Sequence, residues 1–150
     1  MRKFSFNLEK VLTLRKYREQ ETEIELGRAI GVLTGIEQNI QFVTEERFRA
    51  GVHYSGNSAM LRSYLLYADR LDREKAQLIV DAMKAEEKVE EARGIYIEAS
   101  RDRKILDKLK EKQEEEYRKF ILSEEVKISD DQVAGKQRAT LIKSSSPALP

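Results

Sequence analysis

The sequence predicts an all-α fold: two long helices paired as an antiparallel coiled-coil hairpin, the second helix longer and overhanging. Three observations carry this expectation. Apolar residues recur at alternating spacings of three and four along two long stretches, the pattern of a seam that faces a partner helix. A short glycine-containing segment separates the two stretches, supplying turn chemistry. The 150 residues are 37% charged and 7% aromatic, with 2 prolines, a composition that suits long helices better than a globular core. So much charge would also fit a disordered chain, but the regular apolar placement decides against that.

Helix one is expected over about residues 7–50. Its stripe is Leu26, Ala29, Leu33, Ile36, Ile40 and Val43. Extended backwards, the stripe brings Leu12 and Leu8 into phase, with Arg15, Glu19 and Thr22 as a polar gap between. The turn, 51–57, contains Gly51 and Gly56, and Asn57 or Ser58 can cap the helix that follows. Helix two is expected over about 58–126. Its stripe is longer: Leu61, Tyr64, Ala68, Leu71, Lys75, Leu78, Ala82, Ala85, Val89, Ala92, Tyr96, Ala99, Arg103, Leu106, Lys110, Gln113, Tyr117 and Phe120. Ala85, Ala92 and Ala99 recur every seventh residue, which lets the helices approach closely there. Asp69/Arg73, Glu114/Arg118 and Glu115/Lys119 are i,i+4 pairs that add local support to a helix. The hairpin thus occupies residues 1–130. The remainder, 131–150, carries Lys-Ser-Ser-Ser-Pro and ends Leu-Pro, and reads as a flexible C-terminal tail.

At 1.5 Å per residue, helix one is roughly 65 Å long and helix two roughly 100 Å. With the turn at one end, Leu8 is expected level with about residue 100. Arg101 to Val126 then extend beyond their partner unless the N-terminus or another protein covers them. The seam residues Arg103 and Lys110 fall in this overhang, with nothing expected opposite them.

The chain offers no catalytic constellation. There is neither GxxxxGK[ST] nor GxGxxG, so no phosphate-binding loop is expected. The single His53 excludes His-paired metal sites, and the absence of cysteine removes disulfides, thiolate catalysis and most zinc sites. The carboxylates of Glu114, Glu115 and Glu116 read as a solvated helix face. The expectation is a protein that is not an enzyme and needs no cofactor or metal. Lys plus Arg (28) and Asp plus Glu (27) nearly cancel, which argues against a dedicated nucleic-acid or membrane-surface binder. No apolar run of signal-peptide or membrane-span length follows the basic Met1-Arg2-Lys3 or appears later, so no direct membrane insertion is expected and a cytoplasmic location is.

Two features have more than one reading. Gly27, Gly31 and Gly35 fall beside the seam, facing outward, either as a groove for a closely docked helix or as tolerated, locally flexible positions. Phe42, Phe48, Leu66, Tyr67, Val80 and Met83 sit off the seam. They are expected to be exposed in a hairpin, and to meet either a partner or a second copy through self-association.

The ends of the chain carry a resemblance. Phe4-x-Phe6-x-Leu8-x-x-Val11-Leu12-x-Leu14-Arg15 resembles the opening of the FliJ family of flagellar protein-export components. Arg103-Lys104-x-Leu106-x-x-Leu109-Lys110, followed by Tyr117 and by Asp130-Asp131, resembles that family's C-terminal signature. The resemblance covers about residues 1–135. It implies an antiparallel coiled coil similar to the central stalk of rotary ATP synthases, working at the cytoplasmic face of the inner membrane at the flagellar base. It implies three partners: the hexameric export ATPase, the cytoplasmic domain of the export gate's membrane protein, and substrate-specific export chaperones. On that analogy Phe4, Phe6, Leu8, Val11, Leu12, Arg15, Arg103, Lys104, Leu106, Leu109, Lys110 and Tyr117 meet the ATPase. The off-seam set Phe42, Phe48, Leu66, Tyr67, Val80 and Met83 meets the gate. The sequence departs from the family in its turn, which holds His53 and two glycines, and in its tail, which lacks much of the acidic, Lys-rich ending. Two alternatives share the architecture: a structural tether or oligomerisation module, and the equivalent stalk of a virulence type III secretion system.

Overall fold

The computed structural model describes residues 3–54 and 56–144. It contains two helices, α1 (Glu9–His53, 45 residues) and α2 (Ser58–Ser144, 87 residues). Among the described residues there is no strand. The chain packs as two compact units, Val11–Arg103 and Met1–Lys10 with Lys104–Pro150.

Local chemistry sets the helix boundaries. The carboxylate of Glu9 stands in the first turn of α1 and His53 in its last, each placed to suit the helix dipole. Gly56 takes φ +74°, a left-handed conformation that costs glycine little. Asn57 caps α2: its Oδ1 accepts from the Ala59 amide at 3.1 Å, and its carbonyl accepts from Met60 and Leu61. Of the two capping candidates, the structure selects Asn57. The break is shorter than the expected 51–57, because α1 continues through Gly51 to His53.

The unit Val11–Arg103 is an antiparallel helix pair. Contacts climb α1 as they descend α2: Glu19 with Arg103, Arg15 with Asp102, Arg47 with Asp72 and Tyr64, Glu46 with Tyr67. Its core is thin. Leu12, Val43, Ala68, Leu71, Ala85, Val89 and Ala99 are buried, and the remaining seam positions from Leu26 to Ile40 and from Lys75 to Tyr96 are half-buried. Two helices alone can bury only one stripe each. The stripes are the two legible from spacing, except that Leu61 stays exposed at the turn end.

In the other unit residues 3–8 are not helical and lie along α2. Phe6 and Leu106 are buried, the rings of Phe4 and Tyr117 stand 5.6 Å apart, and Lys110 Nζ lies 2.8 Å from a Glu9 carboxylate oxygen. Beyond Tyr117, only Ile121 and Glu124 are even half-buried among the described residues.

Three expectations are corrected here. First, Arg103 and Lys110 do have partners, Glu19 and Glu9. Both partners stand on α1: the register of the pair sets Glu19 level with Arg103, whereas counting equal rises from the turn sets α1 residues opposite earlier positions of α2. Second, the uncovered part of α2 therefore begins after Tyr117 rather than at Arg101. Third, α2 does not end near Val126 but runs to Ser144, through much of the stretch expected as a flexible tail. Gly135 is the one glycine between Lys127 and Ser144, and both prolines lie further on, so nothing there stops a helix. Residues 145–150 of that tail lie outside the described residues.

Candidate functional site

The residues singled out by the terminal motifs fall into both units. In the unit holding the N-terminal segment, they divide by exposure. Phe6 and Leu106 are buried against their surroundings, so they hold the segment in place and present little surface. Phe4, Leu109, Lys110 and Tyr117 are half-buried, and Leu8 and Lys104 are exposed. The Glu9 carboxylate accepts a hydrogen bond from Lys110 Nζ, and this bond holds the ammonium above the usual lysine range.

In Val11–Arg103, Leu12 is fully buried while Val11 is exposed. Arg15 and Arg103 are not free cations reaching for a partner. Arg15 Nη1 donates to the Asp102 carbonyl at 2.9 Å, and Arg103 Nε donates to the Glu19 carboxylate. The polar gap in the first stripe is thus matched by a polar stretch of the second. A polar layer in a coiled-coil seam costs stability and specifies register. Glu19 and Asp102 were not among the candidate residues. The signal that could have found Glu19 was the charge complementarity of the two interrupted stripes.

The off-seam set is exposed throughout: Phe42, Phe48, Leu66, Tyr67, Val80 and Met83 all present apolar surface. Near the turn, Tyr54 and Tyr64 stack at 5.0 Å, and the Arg47 guanidinium lies over the Tyr64 ring. Its hydrogen bond with the Tyr64 hydroxyl, at 3.0 Å, raises the guanidinium's affinity for its proton. Gly27, Gly31 and Gly35 face open space, with nothing within 4 Å of an added Cβ.

Chemically, this arrangement can bind. The groove lined by Ala29, Val32, Ala92 and Ile95 is open to solvent. Among the described residues no three His, Asp or Glu side chains converge as metal ligands. No described helix is long and apolar enough to cross a membrane.

The family model described as flagellar FliJ protein matches residues 4–138, taking in both terminal motifs and both helices. The chain belongs to the FliJ family. Membership makes it a component of the flagellar protein-export apparatus. Comparison with curated proteins and with solved structures gave no match. The FliJ match ends at residue 138, so it covers most of the stretch of α2 that lies beyond Tyr117.

Proposed function

We propose that this FliJ-family chain works without catalysis, as a central stalk that binds the export ATPase ring and couples it to the export gate and to substrate chaperones. The observation that carries the reading is the family match over residues 4–138, a span that includes both terminal motifs. Antiparallel pairing within Val11–Arg103 and the docked N-terminal segment support it, because a stalk must hold its shape while subunits change around it. The mechanism is differential affinity. The stalk stabilises the arrangement of ATPase subunits that it contacts best, by no more than the difference in contacts between arrangements. In the unit holding the N-terminal segment, exposed Leu8 and Lys104 are offered to the ATPase together with half-buried Phe4, Leu109, Lys110 and Tyr117, and buried Phe6 and Leu106 support the packing. In Val11–Arg103, Val11 and Arg15 are offered, Leu12 is buried, and Arg103 sets register through Glu19. Phe42, Phe48, Leu66, Tyr67, Val80 and Met83 are offered to the gate. The site of action is the cytoplasmic face of the membrane at the flagellar base.

A pull-down of the organism's own export ATPase tests this. Lys104→Ala with Leu8→Asn changes two exposed positions and is expected to weaken capture at least tenfold while circular dichroism stays helical. Arg103, Leu106 and Leu109 are poor choices for the same test, because Arg103 and Leu106 hold the fold. Wild-type chain that captures no ATPase would leave a structural tether as the reading.

A further inference from the structure

The near-neutral charge of the whole chain conceals a local imbalance at the turn. From Arg47 to Ala68 there is no Asp or Glu, although the chain has 27 of them, while Arg47, Arg49, Arg62 and His53 all fall in this stretch. Arg47 is held by Asp72 and Tyr64, and Arg49 lies 3.1 Å from Glu46 on the exposed surface. No carboxylate of the stretch itself offsets them. Large apolar side chains crowd the same place. Phe48 is 73% exposed and Val52 64%, one helical turn apart on the outward side of α1; Met60 is 61% exposed, Leu65 54% and Leu66 64%. Successive helix positions are rotated by about 100°, so Met60, Leu65 and Leu66 point to different sides of α2. The apolar surface therefore surrounds the turn instead of forming one stripe.

We propose that the turn of the hairpin docks on an anionic membrane surface, its apolar side chains entering the headgroup layer and its arginines meeting lipid phosphates. A folded protein partner meets one face and leaves the others wet. A fluid interface accepts apolar side chains on every side, and basic residues next to apolar ones are what anionic lipid surfaces recruit. Tyr54, Tyr64 and Tyr67, half of the chain's 6 tyrosines, stand where an interfacial belt of aromatic rings is favourable. Nothing in this requires a membrane span, and the proposal stands independently of ATPase binding; it takes Phe48, Leu66 and Tyr67 from the set offered to the gate and leaves Phe42, Val80 and Met83 there.

The test is co-sedimentation of the full-length chain with phosphatidylglycerol vesicles and with phosphatidylcholine vesicles. The chain is expected to pellet with the first and not the second, and to be released by high salt. Arg49→Gln with Arg62→Gln is expected to weaken pelleting about 25-fold, roughly fivefold for each guanidinium removed. The chain has no Trp, so Val52→Trp provides a single fluorophore whose emission is expected to shift to the blue on anionic vesicles. No pelleting with anionic vesicles overturns the proposal and leaves the turn to an acidic protein surface. Pelleting that ignores the two arginines, or tryptophan emission from the Val52→Trp variant that does not move, overturns it as well. Circular dichroism shows whether each variant keeps its helices, and Arg62→Gln alone, at an exposed position, serves if the double change does not.

Discussion

At the scale of the residue, neighbours in one motif do opposite jobs. Leu12 is 1% exposed and Leu14 67%, although they lie in the same turn of α1 and in the same family motif. Spacing explains it: Leu12 is on the stripe and Leu14 is not. Leu12→Ala is expected to cost about 2–5 kcal/mol, toward the lower end because so thin a core can collapse around the gap. Leu14→Ala should change stability by less than about 0.5 kcal/mol. Urea unfolding of the two variants beside the wild type measures both. A Leu12→Ala cost as small as that of Leu14→Ala would mean that the seam does not hold the N-terminal part of the pair. The same division governs the candidate site. A motif names residue types and cannot say which of them a fold covers, so Phe6 and Leu106 read as contacts in the motif although the fold buries them. Leu8, Val11, Leu14 and Lys104 are motif positions that a partner can reach without disturbing the packing.

At the scale of the element, the helices were legible wherever they had a partner and illegible where they did not. The heptad spacing marks the paired stretches of α1 and α2 almost residue by residue, because spacing records burial. Past Phe120 the spacing lapses, which is why the end expected near Val126 falls short of the real one. Spacing reports a partner, however, and not a helix; α2 continues to Ser144 on intrinsic propensity and local pairs such as Glu124 with Lys127 at 2.8 Å. Two predictions belong here. Gly27, Gly31 and Gly35 lie within α1 with free space where a Cβ would stand. Each Gly→Ala change is expected to stabilise the chain by up to about 1 kcal/mol, seen as a higher urea midpoint; destabilisation would mean that the backbone there is closely approached. The second concerns pH. A hydrogen bond from Lys119 holds the Glu115 carboxyl below the usual carboxylate range. Because the folded-state pKa is the lower one, this pair stabilises the helix above the unfolded value near 4.5 and ceases to as pH falls through the folded value. A carboxyl-detected NMR titration should place the Glu115 midpoint below that of an unpaired Glu. Lys119→Ala should move it back up, and an unmoved midpoint would remove the pair from the account.

At the scale of the whole molecule, the question left open by spacing alone is whether the two stripes meet within one chain or between chains. Both arrangements satisfy the same heptads, and only the turn chemistry at Gly56 and Asn57 argued for folding back. The structure adds a register that can be tested. Glu19 meets Arg103 within the unit Val11–Arg103, at the place where both stripes become polar. In a long parallel dimer Glu19 would face Glu19 of the other copy, a like-charge pair that is unfavourable in a seam. The chain has no cysteine, so Glu19→Cys with Arg103→Cys introduces the only two thiols present. Oxidation is expected to close them within one chain of 17.4 kDa, with a yield independent of protein concentration. A product of twice that mass, rising with concentration, would instead show the stripes meeting between copies. The polar layer also explains why this pair is the informative one. An apolar seam slips by a heptad at modest cost, whereas displacing Arg103 from Glu19 leaves two charges half-buried without each other, which is far more costly than losing an exposed pair. Closure in high yield would therefore fix both the folding back of the chain and the register along it.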